Sequence, residues 1–364
     1  MRNCFLVHTH LRLRTQFITE RERCDHELVR PEVTDPDFEV ALQRGIRGDI
    51  DFESSQLIFD GAGRLNRARE LFSAASRIRD KKLGRKLVLS AHVHMISSCE
   101  VSPSCLYCSL SSSNRAVSGE RSRLTIGELT QAVRFALSKG VQSIVLIGGT
   151  DLNGLDSPVR QTVERVRGIT DIDLAVDVGP SLSQETVRWL KEMRVSTVYC
   201  SIETVNAKAF SDAKPGDSLR ARVECMEMLE RAEVKLGSVV MNGLGSSVDL
   251  LRSILDLRRF KTLSYLHIST FHPVRGTPWA EKRPASVWNS LKALSIARLA
   301  FPNAHLSLAE VEVEDSGSVA RTPSQLSAGG GNTLAGVLFY KRRKIDNMQL
   351  IKRHASSMGF ETRT

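Results

Sequence analysis

Two rhythms of apolar and polar positions run along this chain. Around residues 37–42 and 65–78 apolar side chains return every three or four positions, which predicts two or three helices ahead of the core. Beyond them, short apolar runs alternate with amphipathic stretches. The runs predict strands at 87–96, 143–147, 173–178, 197–202, 235–241, 265–271, 305–308 and 334–339. The stretches predict helices at 125–138, 183–193, 219–232, 248–260 and 287–299, with a last one at 347–358. Between the seventh and eighth strands no helical pattern is evident. Strands interleaved with helices in this way predict an α/β fold, a (β/α)8 barrel of the TIM type. The N-terminal helical extension is expected to cap one end of it, and the active site to lie at the carboxyl ends of the strands.

Residues 1–34 differ from the rest and read as an irregular or disordered arm, leaving 35–364 as one barrel domain with its N-terminal helices. Cys4, His8, His10, Cys24 and His26 are scattered through the arm at spacings that match no compact ligand set. The first 19 residues carry arginines and no acid, a faint likeness to an organelle-targeting segment; an over-long start or a disordered arm is the preferred reading. At 364 residues and 41% hydrophobic content the chain suits one large domain with a full core. No stretch approaches the length of a membrane span. Seven cysteines without regular spacing argue against a disulfide scaffold and for a reducing, cytoplasmic setting. A net charge of +10 would suit nucleic acid, but the basic residues are interspersed with acids and aromatics are only 5%, so base-stacking platforms are scarce and nucleic-acid binding is disfavoured.

Three cysteines change the picture. Cys99, Cys105 and Cys108 share one short loop after the first predicted strand, on the barrel face that carries active sites. Three thiolates hold three irons of a [4Fe–4S] cluster and leave the fourth iron open to an exogenous ligand. Zinc is the alternative, with His92 or His94 as fourth ligand; zinc sites usually pair two knuckles, and no second pair follows. A zinc-stabilised, basic nucleic-acid-binding protein is therefore the non-enzyme reading.

A cysteine triplet after strand one of such a barrel resembles the radical S-adenosylmethionine (SAM) superfamily, in particular the branch holding biotin synthase, the [FeFe]-hydrogenase maturase HydE and methylornithine synthase. The likeness runs from about residue 35 to the C-terminus and rests on segments in register. Gly148-Gly149-Thr150-Asp151 is similar to the family's glycine-rich segment at the methionine amino group. Tyr199-Cys200-Ser201-Ile202-Glu203-Thr204 resembles the stretch near the nucleoside. Leu219-Arg220-Ala221-Arg222-Val223 falls where an arginine meets the methionine carboxylate, Arg222 being first choice and Arg220 second. Gly243-Leu244-Gly245 resembles the segment beside the adenine, and Gly276-Thr277-Pro278 the family's Gly-Thr-Pro turn. Ile296-Ala297-Arg298-Leu299-Ala300-Phe301-Pro302 and Ala328-Gly329-Gly330-Gly331-Asn332 match the segments before strands seven and eight.

The resemblance implies a radical SAM enzyme that reductively cleaves S-adenosyl-L-methionine at a [4Fe–4S] cluster to a 5′-deoxyadenosyl radical. Cys99, Cys105 and Cys108 would hold the cluster. Tyr107, Gly148, Gly149, Thr150, Glu203, Arg222 and Gly243 would contact the cofactor. It implies a small-molecule substrate in the barrel mouth, within reach of His272, Thr270 and Asp151, and a low-potential ferredoxin or flavodoxin as electron donor. Two departures matter. The barrel cysteines of biotin synthase's second cluster are absent, Cys200 and Cys225 reading as core residues. The spacing Cys-x5-Cys-x2-Cys resembles the maturases of [Fe]-hydrogenase, HmdB/HcgA, which act in making the iron-guanylylpyridinol cofactor. The alternative is a mutase or maturase similar to methylornithine synthase or HydE.

Overall fold

The computed structural model describes residues 33–111, 114, 122–310, 321–340 and 342–362. The N-terminal cysteines and histidines lie outside them. Eight parallel strands run in the order 7-6-5-4-3-2-1-8: β1 (Lys86–His94), β2 (Ser143–Ile147), β3 (Asp173–Asp177), β4 (Val195–Tyr199), β5 (Lys235–Asn242), β6 (Leu263–Thr270), β7 (His305–Glu310) and β8 (Thr333–Tyr340). The sheet curls into a barrel open at one seam, because among the described residues no backbone ladder joins β7 to β8, only the Leu306–Gly331 bridge and a contact of Thr333 Oγ1 with His305 Nδ1 at 3.4 Å. There the Leu308 amide donates to Gln325 Oε1 at 3.1 Å. Two strands were not anticipated: β9 (Arg343–Asp346) pairs antiparallel with β8, and β10 (Glu361–Thr362) parallel with β1.

Period-two alternation decides which way each strand faces. On β1, Leu87, Leu89, Ala91 and Val93 are at most 1% exposed in the main apolar core. Ser90, His92 and His94, on the other face, line an interior cavity. Barrels of this type are usually filled by branched aliphatic side chains; here the inward rows are largely polar and the lumen stays open. β4 ends earlier than predicted. Glu203 takes a left-handed φ of 62° and bridges to Val240; the segment 200–203 stays hydrogen-bonded to β5 while Ser201 and Glu203 face the cavity mouth.

Three helices precede the barrel, α1 (Asp35–Ile46), α2 (Phe52–Gly61) and α3 (Leu65–Leu83). The barrel adds α4 (Ile126–Ser138), α5 (Asp156–Arg167), α6 (Gln184–Glu192), α7 (Ala207–Ala213), α8 (Leu219–Arg231), α9 (Ser247–Asp256), α10 (Val287–Ala300), α11 (Thr322–Ser327) and α12 (Met348–Ser357). Side-chain caps fix several starts: Thr125 and Glu128 form a reciprocal capping box on α4, and Ser246 and Asp249 another on α9. α1 to α3 pack mainly on α9, α10 and α11, so they cover the barrel's flank at the seam instead of plugging an end. α5 escaped the sequence reading, although Val159, Thr162, Val163 and Val166 recur at helical spacing. Pro158 lies in its first turn, where proline is tolerated. α11 occupies the stretch between β7 and β8 that showed no helical pattern.

Arg298 holds the seam together. This fully buried side chain on α10 donates from Nε to the Gly329 carbonyl at 2.9 Å, and from Nη1 to Ala304 at 2.7 Å, Pro302 at 3.1 Å and Phe301 at 3.2 Å. One guanidinium thus fastens the turn before β8 to the turn before β7. Burial, with Arg79 nearby, lowers its pKa to about 9, still charged at neutral pH. Arg298→Met is expected to leave these carbonyls unpaired and to lower the unfolding free energy by about 3 kcal/mol or more, read from urea titration.

Candidate active site

A cavity of about 430 Å³ opens at the carboxyl ends of the strands, and Cys99, Cys105 and Cys108 all line it. The cysteine loop is fastened on three sides. The Glu100 amide donates to the Thr150 carbonyl at 2.9 Å and the Gly149 amide to Ser97 at 3.0 Å, tying the loop to the glycine-rich turn after β2. The Leu106 amide donates to Ala213 at 2.9 Å, and the Trp279 amide to Leu106 at 3.0 Å. Ser109 Oγ meets the Tyr340 hydroxyl at 2.5 Å. Glycines make these approaches possible. A Cβ on Gly149 would collide with the Cys99 backbone, and one on Gly216 with the backbone of Ser102 and Pro103.

Four charged residues converge beside the loop. Asp217, its side chain 1% exposed, binds Arg222 from Nη2 at 2.6 Å and from Nε at 3.1 and 3.2 Å, and Lys214 Nζ at 3.2 Å. Lys214 also reaches Glu203 Oε1 at 3.4 Å, and Arg222 Nη1 donates to the Ser201 carbonyl at 2.5 Å. Glu203 Oε2 is buried with no partner among the described residues. Burial works against the charge on Arg222, but Asp217 holds its pKa above the ordinary value; the two cations in turn overcome burial and keep Asp217 well below the carboxylate range. The Nη groups of Arg222 each retain a further N–H for a ligand.

Nine of the ten sequence-predicted site residues line this cavity: the three cysteines, Tyr107, Gly148, Gly149, Thr150, Glu203 and Arg222. Gly243 does not. Its φ of +109° and its approach to Phe271 and Ala285, where a Cβ would clash, serve local packing. Asp151, Thr270 and His272 are also outside the lining; Asp151 caps its own turn through the Asn153 amide, and Thr270 Oγ1 bonds Ser290. Arg220, the second choice, is exposed and pairs with Glu224. Cys200 and Cys225 are buried in the apolar core. Sequence reading missed Lys214 and Asp217, within a Lys-Pro-Gly-Asp turn whose composition signals only a turn, and the inner-wall residues Tyr199, His267 and Ser307.

The donor set fits an iron–sulfur cluster. Burial pushes the Cys105 thiol up to about 12 and the Cys108 thiol upward too, while Lys214 draws both back; bound iron supplies the charge that turns such thiols into thiolates. A single-ion site fits less well. Among the described residues no three His, Cys, Asp or Glu side chains gather as one metal ion requires, so zinc with His92 or His94 gains no support. His94 instead lies edge-on to Tyr340, ring centroids 4.8 Å apart.

Residues 95–258 match the model of the Radical SAM superfamily. Residues 95–258 carry a radical SAM domain. The chain is 26% identical over 240 residues to an uncharacterized protein of Methanocaldococcus jannaschii, covering 65% of this chain and 63% of that one. It is 24% identical over 237 residues to the [FeFe] hydrogenase maturase subunit HydE of Thermotoga maritima, covering 65% and 66%. It is 26% identical over 236 residues to 3-methylornithine synthase of Methanosarcina barkeri, covering 64% and 65%. These matches span just under two thirds of each relative. The crystal structure of methylornithine synthase superposes with a TM-score of 0.76 over 89% of this chain and 97% of that one at 19% identity, a likeness of fold. The radical SAM domain holds the cysteine loop and both charged turns. No helix among the described residues is long and apolar enough to cross a membrane.

Two outcomes are expected. Gly149→Ala, which pushes against the Cys99 backbone, reduces the iron retained after anaerobic reconstitution by about half or more, read by iron and sulfide analysis. The second concerns pH. Burial holds His92 and His267 down to about 3, and His94 and His305 to about 4. Unfolded, each takes up a proton near about 6.5. The unfolded state therefore binds more protons as pH falls from 7 to about 5, and stability falls with it. Asp177, raised by burial to about 6, acts in the opposite sense but alone. The melting temperature should be lower at pH 5 than at pH 7, and the difference smaller in His305→Gln.

Proposed function

We propose that this protein is a radical SAM enzyme that reductively cleaves S-adenosyl-L-methionine at a [4Fe–4S] cluster bound by Cys99, Cys105 and Cys108, and that it acts in pyridinol ring formation for the [Fe]-hydrogenase iron-guanylylpyridinol cofactor. One observation carries the first part: the three thiols line the same cavity wall as Gly148, Gly149, Thr150, Glu203 and Arg222. The Cys-x5-Cys-x2-Cys spacing supports the second. When bound, cluster and SAM supply one-electron chemistry, an organic radical formed at the cost of the sulfonium bond.

The chain's own residues bind and orient. The Gly148–Thr150 turn lets backbone approach the ligand amino group closely. The free N–H groups of Arg222 suit a carboxylate, and the unpartnered Glu203 Oε2 suits a hydroxyl or ammonium donor. Tyr107, buried against Phe271 and Trp279, offers an aromatic face to the adenine. Closure of these groups around the ligand keeps water from the reacting carbon. A low-potential ferredoxin or flavodoxin would deliver the electron. A second reading, a mutase or maturase acting on an amino-acid-like substrate, draws on the HydE and 3-methylornithine synthase relatives.

After anaerobic reconstitution, dithionite and SAM should yield 5′-deoxyadenosine from the wild type and none from Cys105→Ala. About four irons per chain without product would count against catalysis, and zinc in place of iron would overturn the reading.

A further inference from the structure

The barrel lumen carries hydrogen-bonding groups that cluster binding and SAM binding do not use. His267 on β6 lies across the lumen wall with both ring nitrogens engaged: Nδ1 with Ser307 Oγ on β7 at 2.5 Å, and Nε2 with the Tyr199 hydroxyl on β4 at 3.3 Å. Its ring stacks on Tyr199, centroids 5.6 Å apart and planes 16° apart. His92 on β1 faces the same cavity and makes no hydrogen bond to any described residue. Its ring is half-buried and borders the cavity, so a guest there can pair with an imidazole that no neighbouring side chain engages.

Charge narrows what that partner is. The cations lining the cavity among the described residues are Lys214 and Arg222, both at the mouth and both paired with carboxylates. Under the proposed function, the spare N–H groups of Arg222 go to the SAM carboxylate. No cation is then left for a second carboxylate or a phosphate deeper in the lumen, where an unpaired anion is strongly disfavoured. The imidazoles do not substitute, because burial keeps them neutral.

Resting on the radical SAM reading, we infer that the lumen below the cysteine loop, whose lining also includes Asp173 and Asp177, binds a small planar ring that carries no anionic group and bears a hydroxyl or carbonyl, hydrogen-bonded by His92 and held against the Tyr199–His267–Ser307 wall. This separates the two readings above, since an amino-acid substrate brings a carboxylate that this wall cannot match.

The test is titration calorimetry on the reconstituted protein with SAM bound, using 2-pyridone as the neutral ring and L-lysine as the amino acid. 2-Pyridone is expected to bind and L-lysine not. Binding is expected to weaken by about tenfold in His92→Leu and in Ser307→Ala, each checked for iron content and circular dichroism. Binding of L-lysine as tight as 2-pyridone, binding of neither, or 2-pyridone affinity unchanged in both variants would overturn the inference. If His92→Leu fails to fold, Ser307→Ala and the two-probe comparison on the wild type decide it. SAM cleavage by the wild type is scored separately: cleavage without 2-pyridone binding sinks the lumen assignment alone, and 2-pyridone binding without cleavage sinks the radical reading alone.

Discussion

The Asp217 carboxylate sits out of water between Arg222 and Lys214, and the geometry of the cavity mouth follows from that placement. A buried carboxylate persists only where cations face it. Lys214 in turn draws Glu203 inward, and Glu203 lies where the chain leaves β4 in a left-handed conformation. The segment carrying Lys214 and Asp217 is pinned to the cysteine loop by the Leu106 to Ala213 hydrogen bond and by the close fit of Gly216 under Ser102 and Pro103. One charge cluster thus connects the ends of β1 and β4 and the start of α8. Had Asp217 been apolar, Arg222 would lose its carboxylate and Lys214 would keep only Glu203, leaving one buried cation unpaired beside the thiols.

The barrel was legible because its outward rows are largely aliphatic, with few exceptions such as Ser238 and Thr270. Leu87, Leu89, Ala91 and Val93 announce β1 without knowledge of its neighbours, and the other strands do the same. The helix at Asp156–Arg167 was overlooked because its charged residues and a first-turn proline dilute a valine stripe. Candidate ligands legible in sequence were those on loops with their own local signature, the cysteine triplet and the Gly-Gly-Thr turn. Gly243 carried an equally clear local signature, yet its freedom is used against Phe271 and Ala285.

The inner wall was not legible, for a physical reason. Whether His92, Tyr199, His267 and Ser307 meet depends on the register between strands far apart in the chain and on bulges in the ladders, such as those between Leu174 and Ala175 or Leu236 and Gly237. A one-residue slip would turn any of them into the apolar layer. His272 and Thr270 looked well placed at a strand end, and their side chains proved to belong to the outside of the lumen.

An unbroken ladder sets the girth of a barrel through strand number and stagger. This sheet is interrupted between β7 and β8, so hydrogen bonding around the ring does not by itself fix the circumference. The fastening passes instead to Gln325 and to two arginines: Arg298 on α10, and Arg79 on α3, which donates to the Leu326 and Gly330 carbonyls. The bore of the lumen is thereby a property of the outer helices. Substitutions on the flank, remote from any reacting atom, are a route by which this scaffold can be widened or narrowed for a different guest.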